Sequence, residues 1–217
     1  MNDKNDILVC DKGNMLLKSY LKNNEKTYNL KFSMNDIDTS KINLSNLLSH
    51  NIYELLDKIN PELIEKIKIM EIYNEDSADI LIILKHIAKE VGIKQKYILF
   101  NAQREIDIKN NKVFFVNKDI GLMDEQLAIH YMGMANIDTN KLEALIYNFG
   151  TVEITIANNN ISDLMGGGNT NKQVDANFET HFQLTMMDQL PIYMENLIGL
   201  MIKKIFYNLK VFIDNLK

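Results

Sequence analysis

Arg104 is the only arginine in a chain of 217 residues, and its neighbours limit what it can do. Side chains on a strand alternate with period two, so Ile98, Phe100, Ala102, Arg104, Ile106 and Ile108 share one face of the segment 95–108. Leu99, Asn101, Gln103, Glu105 and Asp107 share the other, so the guanidinium points with the apolar set. It cannot lose its charge, and burial therefore calls for a carboxylate, water or ligand oxygens beside it. Glu71 is the candidate partner, because it lies with Ile67, Ile69 and Tyr73 on a mostly apolar face. The alternative is a sheet-edge position from which Arg104 snorkels to solvent.

No catalytic constellation accompanies this residue. The sequence has no H-E-x-x-H, G-x-S-x-G, Walker-type phosphate loop or C-x-x-C. Gly166-Gly167-Gly168-Asn169 lacks the Lys-Ser/Thr and helix that cradle phosphate, and reads as part of a mobile loop over 159–175. His50, His86, His130 and His181 are scattered singly, and His181 alternates with Glu179, Gln183 and Thr185, a solvated face and not a metal site. The pairs Asp36 and Asp38, and Glu62 and Glu65, read as solvated charge. Cys10 stands alone, which excludes an internal disulfide and fits a reducing compartment.

The methionines are a second chemical hint. There are twelve, with Met132 and Met134 read as alternating on a strand face, Met186 sharing a face with Phe178, Phe182 and Leu184, and Met201 on a helix stripe. Flexible thioethers suit a cavity that adapts to an oily ligand, and they also suit plain core filling.

The elements that position these residues follow from periodicity. Helical spacing of Met15, Leu16, Leu17, Tyr20 and Leu21 predicts a short helix over 13–23, followed by a strand at 26–34. Leu47, Leu48, Ile52, Leu55, Leu56 and Ile59 predict a helix from Ser45, and Asn60-Pro61 predicts the start of a second one. The period then becomes two, predicting strands near 67–73, 79–88, 95–108, 112–119, 126–137, 142–148, 151–158 and 177–187, with a helix capped by Ser77 and ending at Gly92 as the alternative for 79–88. From Pro191 the apolar residues Ile198, Met201, Ile202, Ile205, Leu209, Phe212, Ile213 and Leu216 recur at helical spacing, predicting one helix of roughly 39 Å.

Hydrophobic residues at 46% and charged residues at 24% exclude a disordered chain, and a net charge of −5 with one arginine argues against nucleic acid. Neither a membrane-spanning run nor signal-peptide character is present, so the expectation is a soluble, cytoplasmic monomer with a single domain over 1–217.

Small helices, antiparallel strands and a long last helix give an α+β domain, a curved antiparallel sheet wrapped around the C-terminal helix. This order resembles the helix-grip fold of StAR-related lipid-transfer (START) and related Bet v 1-like (SRPBCC) domains. The likeness is carried by the strand Phe178-Glu179-Thr180-His181-Phe182-Gln183-Leu184-Thr185-Met186-Met187, which runs through Asp188-Gln189-Leu190-Pro191 into Met194-Glu195-Asn196-Leu197. The chain departs from the START pattern in having no Trp and no Gly before that Pro.

The resemblance implies binding, and transfer, of a lipid or other hydrophobic small molecule between sheet and helix, with transient membrane contact and no cofactor. The expected ligand-binding residues are Arg104, Glu71, Phe100, Met132, Met134, Phe182, Met186, Ile198, Met201, Ile202 and Ile205. Arg104 would orient a polar head, and the loop 159–175 or the helix would move for release. Two other readings stay open: a protein-interaction module of the co-chaperone kind with a filled core, and an enzyme of the cyclase or hydrolase type.

Overall fold

The computed structural model describes residues 6–23, 25–86, 89, 92–121, 124–138, 142–166, 173–185 and 196–216. Among these, one ten-stranded sheet follows the order β1-β2-β3-β10-β9-β7-β6-β5-β4, with β8 pairing β6. The strands are β1 (Ile7–Lys12), β2 (Met15–Lys22), β3 (Glu25–Asp38), β4 (Ile64–Asn74), β5 (Ser77–Leu84), β6 (Gln95–Asp107), β7 (Lys112–Asp119), β8 (Leu142–Ala144), β9 (Ile146–Ile156) and β10 (Gln173–Thr185). The helices are α1 (Leu44–Leu47), α2 (Asn51–Ile59), α3 (Glu125–Met134), α4 (Ile161–Gly166) and α5 (Leu197–Asp214). Every pairing is antiparallel except β6 with β8.

The expected helix over 13–23 is a strand, β2. Gly13 and Asn14, with φ of 68° and 56°, form the two-residue left-handed turn that a tight hairpin requires. Met15, Leu17 and Ser19 are then buried while Leu16, Lys18 and Tyr20 are only partly so. A short run rich in leucine fits both periods, and the turn decides between them.

A second expected helix, opening at Pro61, is also absent. The amides of Leu63 and Ile64 donate to Asn60 O at 3.0 and 2.9 Å, a single turn that feeds β4. Asn60 is fully buried, and its Nδ2 donates to Leu56 O at 3.0 Å, so it closes the end of α2 instead of starting a helix. Its Oδ1 accepts from Asn208 Nδ2 at 2.8 Å, which fastens this corner to α5.

The expected strand 126–137 is the helix α3. Asp124 caps it, accepting from Leu127 N at 2.9 Å, and Glu125 sits in its first turn. Ala128, Tyr131, Met132 and Ala135, at three- and four-residue spacing, pack on Leu81, Ile83 and Leu99 against the sheet's outer face.

On the inner face, α5 buries Ile198, Met201, Ile205, Phe206, Leu209 and Ile213. A β-carbon on Gly199 would stand 2.5 Å from the Tyr28 ring, so the absent side chain is what lets α5 approach β3. Lys203, itself buried, donates to Lys12 O at 3.0 Å and ties the β1–β2 turn to the same helix. The expected helix start at Pro191, and the lid glycines Gly167 and Gly168, lie outside the described residues. The described part of the segment 159–175 is not all loop: it holds α4, whose Ile161 is buried and which packs against α1, and the first residues of β10.

Candidate functional site

Between the inner face of the sheet, α2 and α5 lies a cavity of about 90 Å³. Its floor comes from Ile82, Ile98, Phe100, Val152, Phe182 and Leu184, and its roof from Tyr53 and Leu56 of α2 with Ile202, Ile205 and Phe206 of α5. Phe100 packs edge-on against both the Tyr53 and Tyr147 rings, with centroids 5.7 and 5.2 Å apart. The wall is therefore built of apolar and aromatic groups, as in pockets that take apolar ligands.

Four lining residues bring polar atoms: Tyr53, Asn117, Tyr147 and Thr180. The Tyr53 hydroxyl donates to Asn117 Oδ1 at 3.4 Å, and Asn117 Nδ2 donates to the Tyr147 hydroxyl oxygen at 3.1 Å. Burial pushes the Tyr147 phenol up to about 12 and raises that of Tyr53 further, so both are neutral donors at physiological pH. Among the described residues, no charged residue lines the cavity.

Of the residues predicted from the sequence, Phe100, Phe182, Ile202 and Ile205 meet at this cavity. Ile198 and Met201 are buried on α5 beside it, in the core that contains its walls. Met186 lies outside the described residues. Met132 and Met134 are not on the inner face, because their segment is a helix: Met132 packs beneath α3 on the outer face and Met134 is exposed.

Glu71 also faces outward. A bulge between Ile69 and Glu71 shifts the pairing of β4 with β5 and breaks the alternation that aligned Glu71 with Ile67 and Ile69. Its carboxylate lies 3.0 Å from the Tyr131 hydroxyl, which also stands 2.9 Å from buried Asp79.

Arg104 is buried at 8% exposure, as its alternation with Phe100 and Ala102 requires, and its partner is Asp76 instead of Glu71. Nε and an Nη atom both reach Asp76 Oδ1 at 2.8 Å, and the other Nη donates to Leu48 O at 3.3 Å. The side chain thus ties the end of α1 to the β4–β5 turn, and it does not line the cavity.

His50, at the start of α2, is the neighbouring titratable group. Its Nε2 lies 3.2 Å from Ala102 O and its ring stands edge-on to Phe115. Burial, and then the nearby Arg104 cation, hold its pKa below the ordinary value, with the Ala102 carbonyl acting in the opposite sense.

Sequence reasoning missed the polar trio of Tyr53, Asn117 and Tyr147. Asn117 carried a usable signal, since it follows Val113 and Phe115 on one face of β7 just as Arg104 follows Phe100 and Ala102 on β6. A wider groove of about 520 Å³ opens elsewhere, over residues including Lys31, Glu153, Asn177 and Glu179. There Lys31 pairs with Glu179 at 2.9 Å, and Glu153 pairs with Lys112, just outside the lining, at 2.6 Å.

No protein-family model matches the sequence, and no curated protein matches it by sequence. Solved structures do match the fold. The human StAR-related lipid transfer protein 5 is 8% identical, with a TM-score of 0.65 over 97% of this chain and 86% of that one. The lipid transfer and protein localization domain of human StarD13 is 10% identical, with a TM-score of 0.64 over 96% and 88%. A STAR-related lipid transfer protein from Xanthomonas axonopodis is 6% identical, with a TM-score of 0.57 over 97% and 98%. At these identities the likeness establishes the START-type helix-grip architecture.

Proposed function

We propose that this chain, acting as a single domain over 1–217, binds a lipid or a comparably apolar small molecule between the sheet and α5 and carries it between membranes. The observation that supports this reading is the apolar cavity closed by α5, in a fold shared with proteins named for lipid transfer. Phe100, Phe182, Ile202 and Ile205 would touch the ligand first, and Ile198 and Met201 as the cavity widens.

Widening is required by size. A cavity of about 90 Å³ falls well short of sites for drug-sized ligands, which run to about 300–1,000 Å³. The ligand must displace α5 or α2, because parting two strands would break several ladder hydrogen bonds at once. Each methylene brought out of water contributes about 0.8 kcal/mol, which offsets that displacement.

In this reading the protein works as a cytoplasmic monomer that touches membranes transiently, uses no cofactor, and performs no reaction on its cargo. Organic extraction of the purified protein followed by mass spectrometry tests it, with one lipid per chain expected. A ligand-free protein that also takes up nothing from mixed-lipid vesicles overturns it.

A further inference from the structure

The polar groups of the cavity wall specify more than an oily interior. Asn117 and Tyr147 are almost fully buried, and their mutual hydrogen bond uses the Tyr147 oxygen as acceptor. The Tyr147 O–H and the second N–H of Asn117 Nδ2 then find no protein acceptor among the described residues. The Tyr147 hydroxyl rests over Gly150, in the gap left by the missing side chain, where a β-carbon would lie 1.6 Å from the oxygen. Beside the Thr180 hydroxyl, the cavity therefore offers these two neutral donors, and among the described residues no cation lines it.

We infer that the ligand carries a neutral hydrogen-bond acceptor, an alcohol or carbonyl oxygen, which is seated on Tyr147 and Asn117, and that lipids with an anionic head are rejected. This inference rests on the lipid-binding reading above. A buried neutral acceptor satisfies both donors at no cost in charge. A carboxylate or phosphate at the same place would leave water without a countercharge, a penalty that two neutral donors do not offset. Arg104 does not supply the countercharge, since its guanidinium is held by Asp76 and Leu48 O away from the cavity lining.

Probes with one fluorescent tail and different heads isolate this effect. Binding of cis-parinaryl alcohol, methyl cis-parinarate, cis-parinaric acid and parinaroyl phosphatidic acid is titrated at pH 8, where the free acid and the phosphate are ionised. The alcohol and ester should bind at least about tenfold more tightly than the acid and the phospholipid. Tyr147→Phe, which keeps the ring and removes the donor, should weaken the alcohol about fivefold while leaving the acid unchanged, as expected for one lost hydrogen bond. A thermal melt confirms that the variant is folded, and the wild-type comparison of heads stands without it. Equal binding of all four probes overturns this inference and leaves lipid binding intact. Unchanged alcohol affinity in folded Tyr147→Phe overturns the seating on Tyr147. Binding of none of the probes overturns it together with the reading on which it rests.

Discussion

The Tyr147 hydroxyl occupies the space where the side chain of residue 150 would be, 1.6 Å from the position of a β-carbon on Gly150. Gly150 sits opposite Phe182 on β10 and Asn117 on β7, so the gap in the sheet's side-chain layer falls at the cavity wall. Gly150→Ala should evict the phenol, break its bond to Asn117 and cost about 1–3 kcal/mol, as overpacking of a tight core does. Urea denaturation measures the loss. An alanine variant as stable as the wild type would mean that Tyr147 does not occupy this position.

Gly199 and Tyr28 stand in the same relation between helix and sheet. A β-carbon on Gly199 would meet the Tyr28 ring at 2.5 Å, so Gly199→Ala should push α5 off β3 and destabilise the protein by about 1–3 kcal/mol. Tyr28→Leu removes the obstacle, and the double variant should be more stable than the two separate losses predict. A double-mutant cycle with no coupling would show that the two residues do not touch.

The inner face of the sheet was legible from alternation alone, since Ile98, Phe100, Ala102 and Arg104 are buried in the order that period two requires. The long α5 was legible as well, because its stripe is uninterrupted. What escaped were places where a local device overrides the pattern. The Gly13-Asn14 turn made a strand of a leucine-rich run, the Asp124 cap made a helix of residues rich in Ile, Tyr and Met, and the β4 bulge turned Glu71 outward. The cavity trio was hidden for another reason. Tyr53, Asn117 and Tyr147 come from α2, β7 and β9, and nothing in their sequence spacing brings them together.

Arg104 distinguishes a head-group ligand from a structural tie. Because it bonds Asp76 and Leu48 O and does not line the cavity, Arg104→Met should lower stability by about 1–2 kcal/mol. Asp76 is largely exposed and can be rehydrated, which keeps the loss modest. Affinity for parinaryl alcohol should be unchanged in the folded variant. A stable variant with weakened lipid binding would return Arg104 to the ligand.

His50 gives the fold a predictable response to acid. Its pKa lies below the ordinary value, first because it is buried and then because Arg104 is near, while the Ala102 carbonyl pulls the other way. In the unfolded chain the imidazole takes a proton near pH 6.5, whereas the folded protein resists it. The unfolded state then binds more protons, so stability falls as the pH drops below about 6.5 and levels off once the folded-state pKa is passed. Ordinary carboxylates titrate lower, near pH 4, so the interval from pH 7.5 to 5 belongs to histidine chemistry, and a variant of His50 separates its share from that of the other three. His50→Gln keeps a donor for Ala102 O and removes the titration. Urea midpoints should fall between pH 7.5 and 5 in the wild type and change less in the variant. Parallel declines in the two proteins would show that His50 is not the group responsible.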